Sequence, residues 1–179
     1  MRTGIDEARD PKYAHIERER RWLVDSRKRP DLSVLSFTLI EDRYITGTRM
    51  RLRQMTDSTS GERAFKLTKK YEAADPLARP IVTVYLTNEE YALLAGLPAE
   101  PLAKRRYKVA DGGLVFGIDV FLGSLATLEL AEIEWPDDNG LRTLSSPSWA
   151  THDISADPHY QGGALSLNGL PKDRSWPKS

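Results

Sequence analysis

The chain has 179 residues, of which 29% are charged, and its 26 basic and 26 acidic residues leave a formal net charge of zero. This length fits one domain with a real core, and the balanced charge does not indicate binding to nucleic acid or a membrane surface. The sequence has no cysteine and no apolar N-terminal segment, which excludes disulfides and thiolate metal sites and favours a cytoplasmic location. No apolar run approaches the roughly 20 residues needed to span a bilayer.

The predicted elements follow a polar lead-in, residues 1–12, that lacks hydrophobic periodicity. Eight segments have the composition of β-strands, and short turns join two pairs of them as hairpins. In chain order these strands are IERERRWLV, LSFTLIEDRYI, TRMRLRQM, RAFKLTKKY, ARPIVTVYL, LAKRRYKV, LVFGIDVF and ATLELAEIEW. Thr87, followed three residues later by Glu90, forms a capping-box pattern that predicts a short helix ending near Gly96. From Pro136 onward the sequence predicts short helices and loops.

Eight strands with hairpin connections and few helices favour a sheet that closes on itself, because a barrel removes exposed strand edges. We therefore expect a mainly β (α+β) fold, a closed eight-stranded antiparallel β-barrel with a few short flanking helices. The domain is predicted to span residues 13–170. Residues 1–12 are expected to be flexible, and residues 171–179 to form a C-terminal tail.

Charged residues recur at every second position on five strands, so on each strand they share one face. Charged residues that alternate along a strand usually lie on a face exposed to solvent. Such faces usually mix both charges with uncharged polar residues, whereas here three strands carry only cations, one carries only anions and the first is mixed. The alternating residues are Glu17, Glu19 and Arg21; Arg49, Arg51 and Arg53; Lys66 and Lys70; Lys104 and Arg106; and Glu132 and Glu134.

Rows of like charge are costly to bury unless they bind a ligand of opposite charge. Arginine suits phosphate oxygens because its planar guanidinium makes paired hydrogen bonds to them. The four glutamates are hard oxygen ligands suited to Mg²⁺ or Mn²⁺, and no Cys or His cluster favours zinc. The pattern thus predicts an inward charged face that binds a polyphosphate with its divalent metal ions.

These segments resemble the CYTH superfamily, the triphosphate tunnel metalloenzymes, whose members include inorganic tripolyphosphatases, thiamine triphosphatases and one class of adenylate cyclases. ERERRWLV is similar to the family's Glu-x-Glu-x-Lys signature, with Arg21 where lysine is usual. TRMRLR, FKLTKKY and LAKRRYKV resemble its cationic strands, and FGIDVFLGSLATLELAEIEW resembles its Asp-containing strand and closing Glu-x-Glu. The resemblance runs from about residue 13 to 167, with the segments in the family's order.

The resemblance implies a barrel that forms a tunnel for triphosphate and a phosphoric anhydride hydrolase that depends on Mg²⁺ or Mn²⁺. Three departures weaken the match. Arg21 cannot shuttle a proton as lysine can, and Ile81 and Thr83 stand at the positions expected for further acids. In the tail, Asp153 and Ser155 stand where the family has Glu and Thr. The implied catalytic residues are Glu17, Glu19 and Arg21; the phosphate-binding residues are Arg49, Arg51, Arg53, Lys66, Lys70, Lys104 and Arg106; and the metal ligands are Glu17, Glu19, Asp119, Glu132 and Glu134.

Inorganic tripolyphosphate is the expected substrate, but the sequence leaves alternatives. A class IV-type adenylate cyclase, a thiamine triphosphatase and a noncatalytic polyphosphate- or nucleotide-binding module would all use such a cavity. An RNA-binding barrel is disfavoured because the acidic strands would repel an RNA backbone. The expected partner is therefore a triphosphate-containing small molecule, with no nucleic acid and no membrane, and both monomer and homodimer stay open.

Overall fold

The computed structural model describes residues 13–172, in which β-strands are the main regular secondary structure. Residues 1–12 and 173–179 fall outside the described part, so the predictions of a lead-in and a tail there stay predictions. Among the described helices, none is long and apolar enough to cross a membrane. The elements are β1 His15–Val24, β2 Phe37–Ile45, β3 Met50–Asp57, β4 Arg63–Lys70, β5 Ala78–Leu86, α1 Asn88–Leu94, β6 Ala99–Asp111, β7 Leu114–Phe121, β8 Glu129–Glu134, α2 Asp138–Thr143, β9 Ala150–Asp153 and α3 Gly162–Asn168, with 3-10 turns at Gly123–Leu125 and Pro158–Tyr160.

The sheet closes through β1, which pairs with two different strands. Residues 15–18 pair with β5, and residues 19–23 pair with β8. The remaining neighbours follow the order β5-β4-β3-β2-β6-β7-β8, and every pair is antiparallel. The predicted closed eight-stranded antiparallel barrel, with all eight strands, is therefore confirmed.

A ninth strand, β9, lies in the region where the sequence predicted short helices and loops. It pairs with residues 22–24 of β1. Two of these residues, Trp22 and Leu23, also pair with β8 on the opposite edge of β1. The β9 strand therefore uses the edge of β1 that β5 occupies further toward the N-terminus. The segment Ala150–Asp153 is four residues long and shows no apolar alternation, so its sequence carries no strand signal.

Two local signals in the sequence correspond to observed geometry. The β6–β7 hairpin turns at Gly112 and Gly113, whose φ angles of 57° and 80° lie in the left-handed region that glycine adopts without strain. At the start of α1, Thr87 Oγ1 accepts a hydrogen bond from the Glu90 backbone N–H at 3.2 Å. The Glu90 carboxylate in turn accepts one from the Thr87 N–H at 2.8 Å, which completes the predicted capping box.

Apolar side chains of the barrel strands pack largely on its outer surface. Trp22 and Phe116, which alternate with inward residues of β1 and β7, are buried against Leu32 and Trp149 of the connecting segments. On β4, Phe65 stacks against a tyrosine of α1 with ring centroids 4.7 Å apart. A second apolar cluster, inside the barrel, includes residues of the C-terminal segment and consists of Leu23, Leu102, Phe121, Leu125, Leu128, Leu130, Ile154, Tyr160 and Leu165. The connecting segments that contain Leu32 and Trp149 therefore cover apolar residues on the outside of the barrel, and the rest of the interior is available for charged residues.

Candidate functional site

A cavity of about 480 Å³ lies inside the barrel and is lined by the charged faces of its strands. Lys66 is the exception among the predicted site residues: it does not line the cavity, and its Nζ lies 4.9 Å from the ring centroid of Tyr85. The structure brings all the other predicted site residues together around the cavity: Glu17, Glu19, Arg21, Arg49, Arg51, Arg53, Lys70, Lys104, Arg106, Asp119, Glu132 and Glu134.

Asp119 is the buried centre of one cationic wall. Its carboxylate is 1% exposed and accepts hydrogen bonds from Lys104 Nζ at 2.5 Å and from Arg106 Nε and Nη2, both at 2.7 Å. The register explains this contact, because Arg106 and Asp119 lie directly opposite each other on β6 and β7. Burial alone would raise the pKa of Asp119, but Arg106 and Lys104 hold it far below the usual carboxyl range. Asp119 therefore neutralises much of this wall, and its predicted role as a metal ligand stays a prediction.

A second buried carboxylate, Asp42 on β2, was not predicted from the sequence. It is 2% exposed and accepts hydrogen bonds from Arg53 Nε at 2.6 Å and Arg53 Nη2 at 2.7 Å. Its Oδ1 atom also lies 3.6 Å from Arg51 Nε. In the sequence, Asp42 is a lone acid between Ile40 and Tyr44 on one face of β2, which could have indicated a buried carboxylate. A search for rows of repeated charge passes over such a single residue.

The acidic wall of the cavity is formed by β1 and β8. Glu19 lies opposite Glu134 in the register of this strand pair, and Arg21 lies opposite Glu132. Glu17 is paired with the ammonium of Lys70, and Glu132 Oε1 lies 2.5 Å from Arg106 Nη1. Loss of surrounding water, together with the negative charges of Glu17, Glu132 and Glu19, raises the pKa of Glu134. The four glutamates therefore repel one another across this wall.

Arg21, which stands where the family has lysine, connects β1 to the C-terminal segment. Its side chain is largely buried, and the guanidinium donates a hydrogen bond to the backbone carbonyl of Tyr160. Its Nε lies 3.7 Å from Glu19 Oε1, and its backbone N–H donates to Ser155 Oγ at 2.9 Å. Arg21 thus holds the C-terminal segment against the acidic wall, and its predicted catalytic role stays a prediction.

Other residues around the cavity were not predicted as site residues. Arg79 on β5 lies opposite Glu17, and Tyr71 follows β4 directly. Arg49, which was predicted, contacts Glu72, and the side chains of both are exposed. Arg79 and Tyr71 both lie in segments that the sequence predicts as strands, but a single arginine or tyrosine is not a row of repeated charges, so a search for such rows passes over them.

The donor chemistry of the acidic wall fits a hard divalent cation, because four carboxylates repel one another and offer only oxygen ligands. Within residues 13–172, however, no three acidic or histidine side chains already form a group that could hold a metal ion. Glu17 and Glu132 are engaged by Lys70 and Arg106. Metal binding here would therefore compete with these cationic side chains for the carboxylate oxygens.

No family model matches the sequence. Two curated relatives, the inorganic triphosphatases of Acetivibrio thermocellus and Nitrosomonas europaea, are each 36% identical to it over 67 residues. That segment is 37% and 36% of this chain and only 42% and 44% of the relatives, so the match spans less than half of either relative.

The solved structure of the inorganic triphosphatase NE1496 shares the fold, with a TM-score of 0.56 and 23% identity. The superposition covers 84% of this chain and 94% of that one. The closed barrel and the order of its strands agree with the fold that the resemblance to the CYTH superfamily implied.

Proposed function

We propose that the protein is a divalent-metal-dependent hydrolase of inorganic tripolyphosphate. The observation that carries this proposal is the convergence of cationic strands and four glutamates on a single cavity inside the barrel. A polyanion and its metal ions are the ligands that satisfy both kinds of wall. The two relatives named inorganic triphosphatases support this choice over the other triphosphate chemistries.

The cationic wall would bind and neutralise the phosphate chain. Arg51 has more binding capacity than Arg53, because its buried Nε has no hydrogen-bond partner, whereas Arg53 is engaged by Asp42. A guanidinium can donate paired hydrogen bonds to phosphate oxygens. Reducing the negative charge of the chain lets water approach the terminal phosphorus, and donors fixed in advance stabilise the charge that develops on the leaving pyrophosphate.

The acidic wall would hold the metal through Glu17, Glu19, Glu132 and Glu134. Mg²⁺ or Mn²⁺ supplies a Lewis acid that withdraws electron density from phosphate oxygens. The raised pKa of Glu134 supports this assignment, since it reflects loss of surrounding water together with the negative charges of neighbouring glutamates. We propose that Lys70 releases Glu17 when the metal binds and then faces the phosphates, whereas Arg106 stays on Glu132 and holds it toward the metal.

The pKa of Glu134 leads to a metal-binding prediction that needs no substrate. Because the folded protein raises this pKa, the resulting stability is present below the ordinary carboxyl pKa and is lost as the pH rises through the raised value. Metal binding offsets this loss. Excess MgCl₂ or MnCl₂ should therefore raise the melting temperature more at about pH 7.5 than at about pH 5.

The matched variants are Glu134→Gln, which should reduce this metal-dependent increase, and Glu41→Gln, which should keep it. Glu41 is an exposed carboxylate on β2 that accepts a hydrogen bond from Gln54 at 2.9 Å, outside the cavity. An equal increase at both pH values in all three proteins would contradict the metal assignment.

Activity is tested by phosphate release from tripolyphosphate with Mg²⁺ or Mn²⁺. Glu17→Gln and Glu132→Gln should each lower kcat by about 100-fold, because each removes a charge proposed to hold the metal at the reacting phosphates. Glu41→Gln should retain the wild-type rate. Unchanged turnover in both cavity variants would show that these glutamates do not serve the metal.

The same assay should compare tripolyphosphate with ATP, thiamine triphosphate and long polyphosphate. The proposal expects tripolyphosphate to have the highest kcat/KM. Formation of cyclic AMP from ATP would indicate a cyclase instead, and preference for thiamine triphosphate would indicate a thiamine triphosphatase. Binding without turnover of any substrate would indicate a noncatalytic module.

A further inference from the structure

The inward arginines of β3 differ in what holds them. Arg53 is 8% exposed and makes a bidentate pair with Asp42, which lies directly opposite it on β2. Such a pair fixes the plane of the guanidinium and uses two of its donor positions. Arg53 therefore has less capacity for a phosphate than its place in the arginine row suggests.

Arg51 is the next inward residue along β3, and its contacts are weaker. Its Nε lies 3.6 Å from Asp42 Oδ1, beyond hydrogen-bond distance, and this buried atom has no hydrogen-bond partner. Opposite Arg51 on β2 lies Tyr44, another residue of the cavity wall. An unpartnered buried donor on a charged group is costly, so a ligand that accepts from it gains more binding energy than one at a satisfied arginine.

Asp42 lies between these two guanidinium groups and interacts with both. Burial would raise the pKa of Asp42, but Arg53, Arg51 and Lys104 lower it, so the carboxylate is ionised at neutral pH. It cancels the charge of Arg53, which would otherwise repel Arg51 on the same face of β3, and it attracts Arg51 from one side. The carboxylate thus limits the orientations open to Arg51.

We propose that the Asp42–Arg53 pair is a brace that positions Arg51 to bind phosphate, and that Arg53 itself makes no contact with the substrate. This inference rests on the proposed function and deepens it, because it assigns the phosphate contact to one arginine of the row. Asp42 and Arg53 are positioning residues, and Arg51 is the residue that touches the triphosphate.

A double-mutant cycle distinguishes the brace from direct binding by Arg53. The pair variant Asp42→Asn/Arg53→Gln keeps hydrogen-bonding groups of similar size, so it avoids leaving one buried charge alone. We expect tripolyphosphate binding, measured by calorimetry with Mg²⁺, to weaken about 10-fold in the pair variant and about 100-fold in Arg51→Ala.

The triple variant Asp42→Asn/Arg53→Gln/Arg51→Ala decides between the brace and direct binding by Arg53. If the pair acts through Arg51, adding the pair variant to Arg51→Ala should weaken binding by no more than about threefold further. If the losses multiply, Arg53 binds the phosphate independently and the brace is overturned. Glu41→Gln is the matched control, because this neighbour of Asp42 on β2 is exposed and lies outside the cavity.

A second measurement tests the brace without substrate or turnover. In ¹⁵N-labelled protein, the Arg51 Nε–Hε resonance should broaden or show a lower heteronuclear NOE in the pair variant than in the wild type. If the pair variant fails to fold, Arg53→Lys replaces it, because lysine keeps the charge but loses the bidentate contact. This variant should likewise broaden the Arg51 Nε–Hε resonance or lower its heteronuclear NOE. An unchanged Arg51 resonance in the folded variant overturns the brace. A wild-type protein that neither binds nor hydrolyses tripolyphosphate overturns the proposed function instead, and the Arg51 resonance still decides the brace.

Discussion

Replacing Asp119 with alanine is expected to lower the free energy of unfolding by about 3–5 kcal/mol, because a buried charge network loses the carboxylate that two cations share. Lys104 and Arg106 both donate to this carboxylate, which is 1% exposed. Without it, two cations face each other inside the barrel, and burial already lowers the pKa of Lys104. The measurement is urea unfolding of wild type and variant near neutral pH in the presence of EDTA.

The control is Asp138→Ala, which removes another aspartate paired with an arginine. Arg18 Nε lies 2.6 Å from Asp138, but that carboxylate is 58% exposed, so its loss should cost no more than about 1 kcal/mol. Equal losses in the two variants would contradict the assignment of Asp119 as the centre of the wall. A loss that appears only when metal is present would instead support its predicted role as a metal ligand.

The same network predicts how stability depends on acid. Because Arg106 and Lys104 depress the pKa of Asp119 in the folded state, its contribution to stability is present above the ordinary carboxyl pKa. That contribution is lost as the pH falls through the lower folded value. The difference in stability between wild type and Asp119→Ala should therefore be largest near neutral pH and should shrink in strong acid.

Strand parity grouped the charged residues of each strand on one face, and the rows of a single charge sign indicated that this face is the inner one. Charged residues two apart share a face whatever the tilt of the strand, so each of the rows containing Glu17, Arg51 and Glu132 could be assigned to one face of its strand before any fold was known. The covered outer faces follow from the same alternation, since Trp22 and Phe116 lie between inward residues. The period of a strand therefore carries much of the information about this cavity.

Parity could not determine depth along the barrel or the partners of each charge. Lys66 shares its face with Lys70, yet only Lys70 lines the cavity, because the relative shift of strands around a closed barrel decides which residues are at one level. Asp42 was missed for a related reason: its importance comes from the residue opposite it on β3, and register is set by closure of the sheet rather than by local sequence.

Arg106→Lys is expected to lower kcat/KM for tripolyphosphate by about 10- to 100-fold, the range typical when a partner of a metal ligand is lost. Arg106 connects the two walls: Nε and Nη2 donate to Asp119 at 2.7 Å, and Nη1 lies 2.5 Å from Glu132. The planar guanidinium reaches both carboxylates at once, and a single ammonium cannot. Lysine at this position keeps the charge but releases either Asp119 or Glu132.

The neighbouring Arg105→Lys is the matched control, because it is the same substitution on the outer face of β6. Arg105 is exposed and lies 5.1 Å from the ring centroid of Phe37, away from the cavity, so kcat/KM should stay within about twofold of wild type. If Arg106→Lys matches this control, then charge alone is enough at position 106. In that case the geometric connection between Asp119 and Glu132 has no part in catalysis.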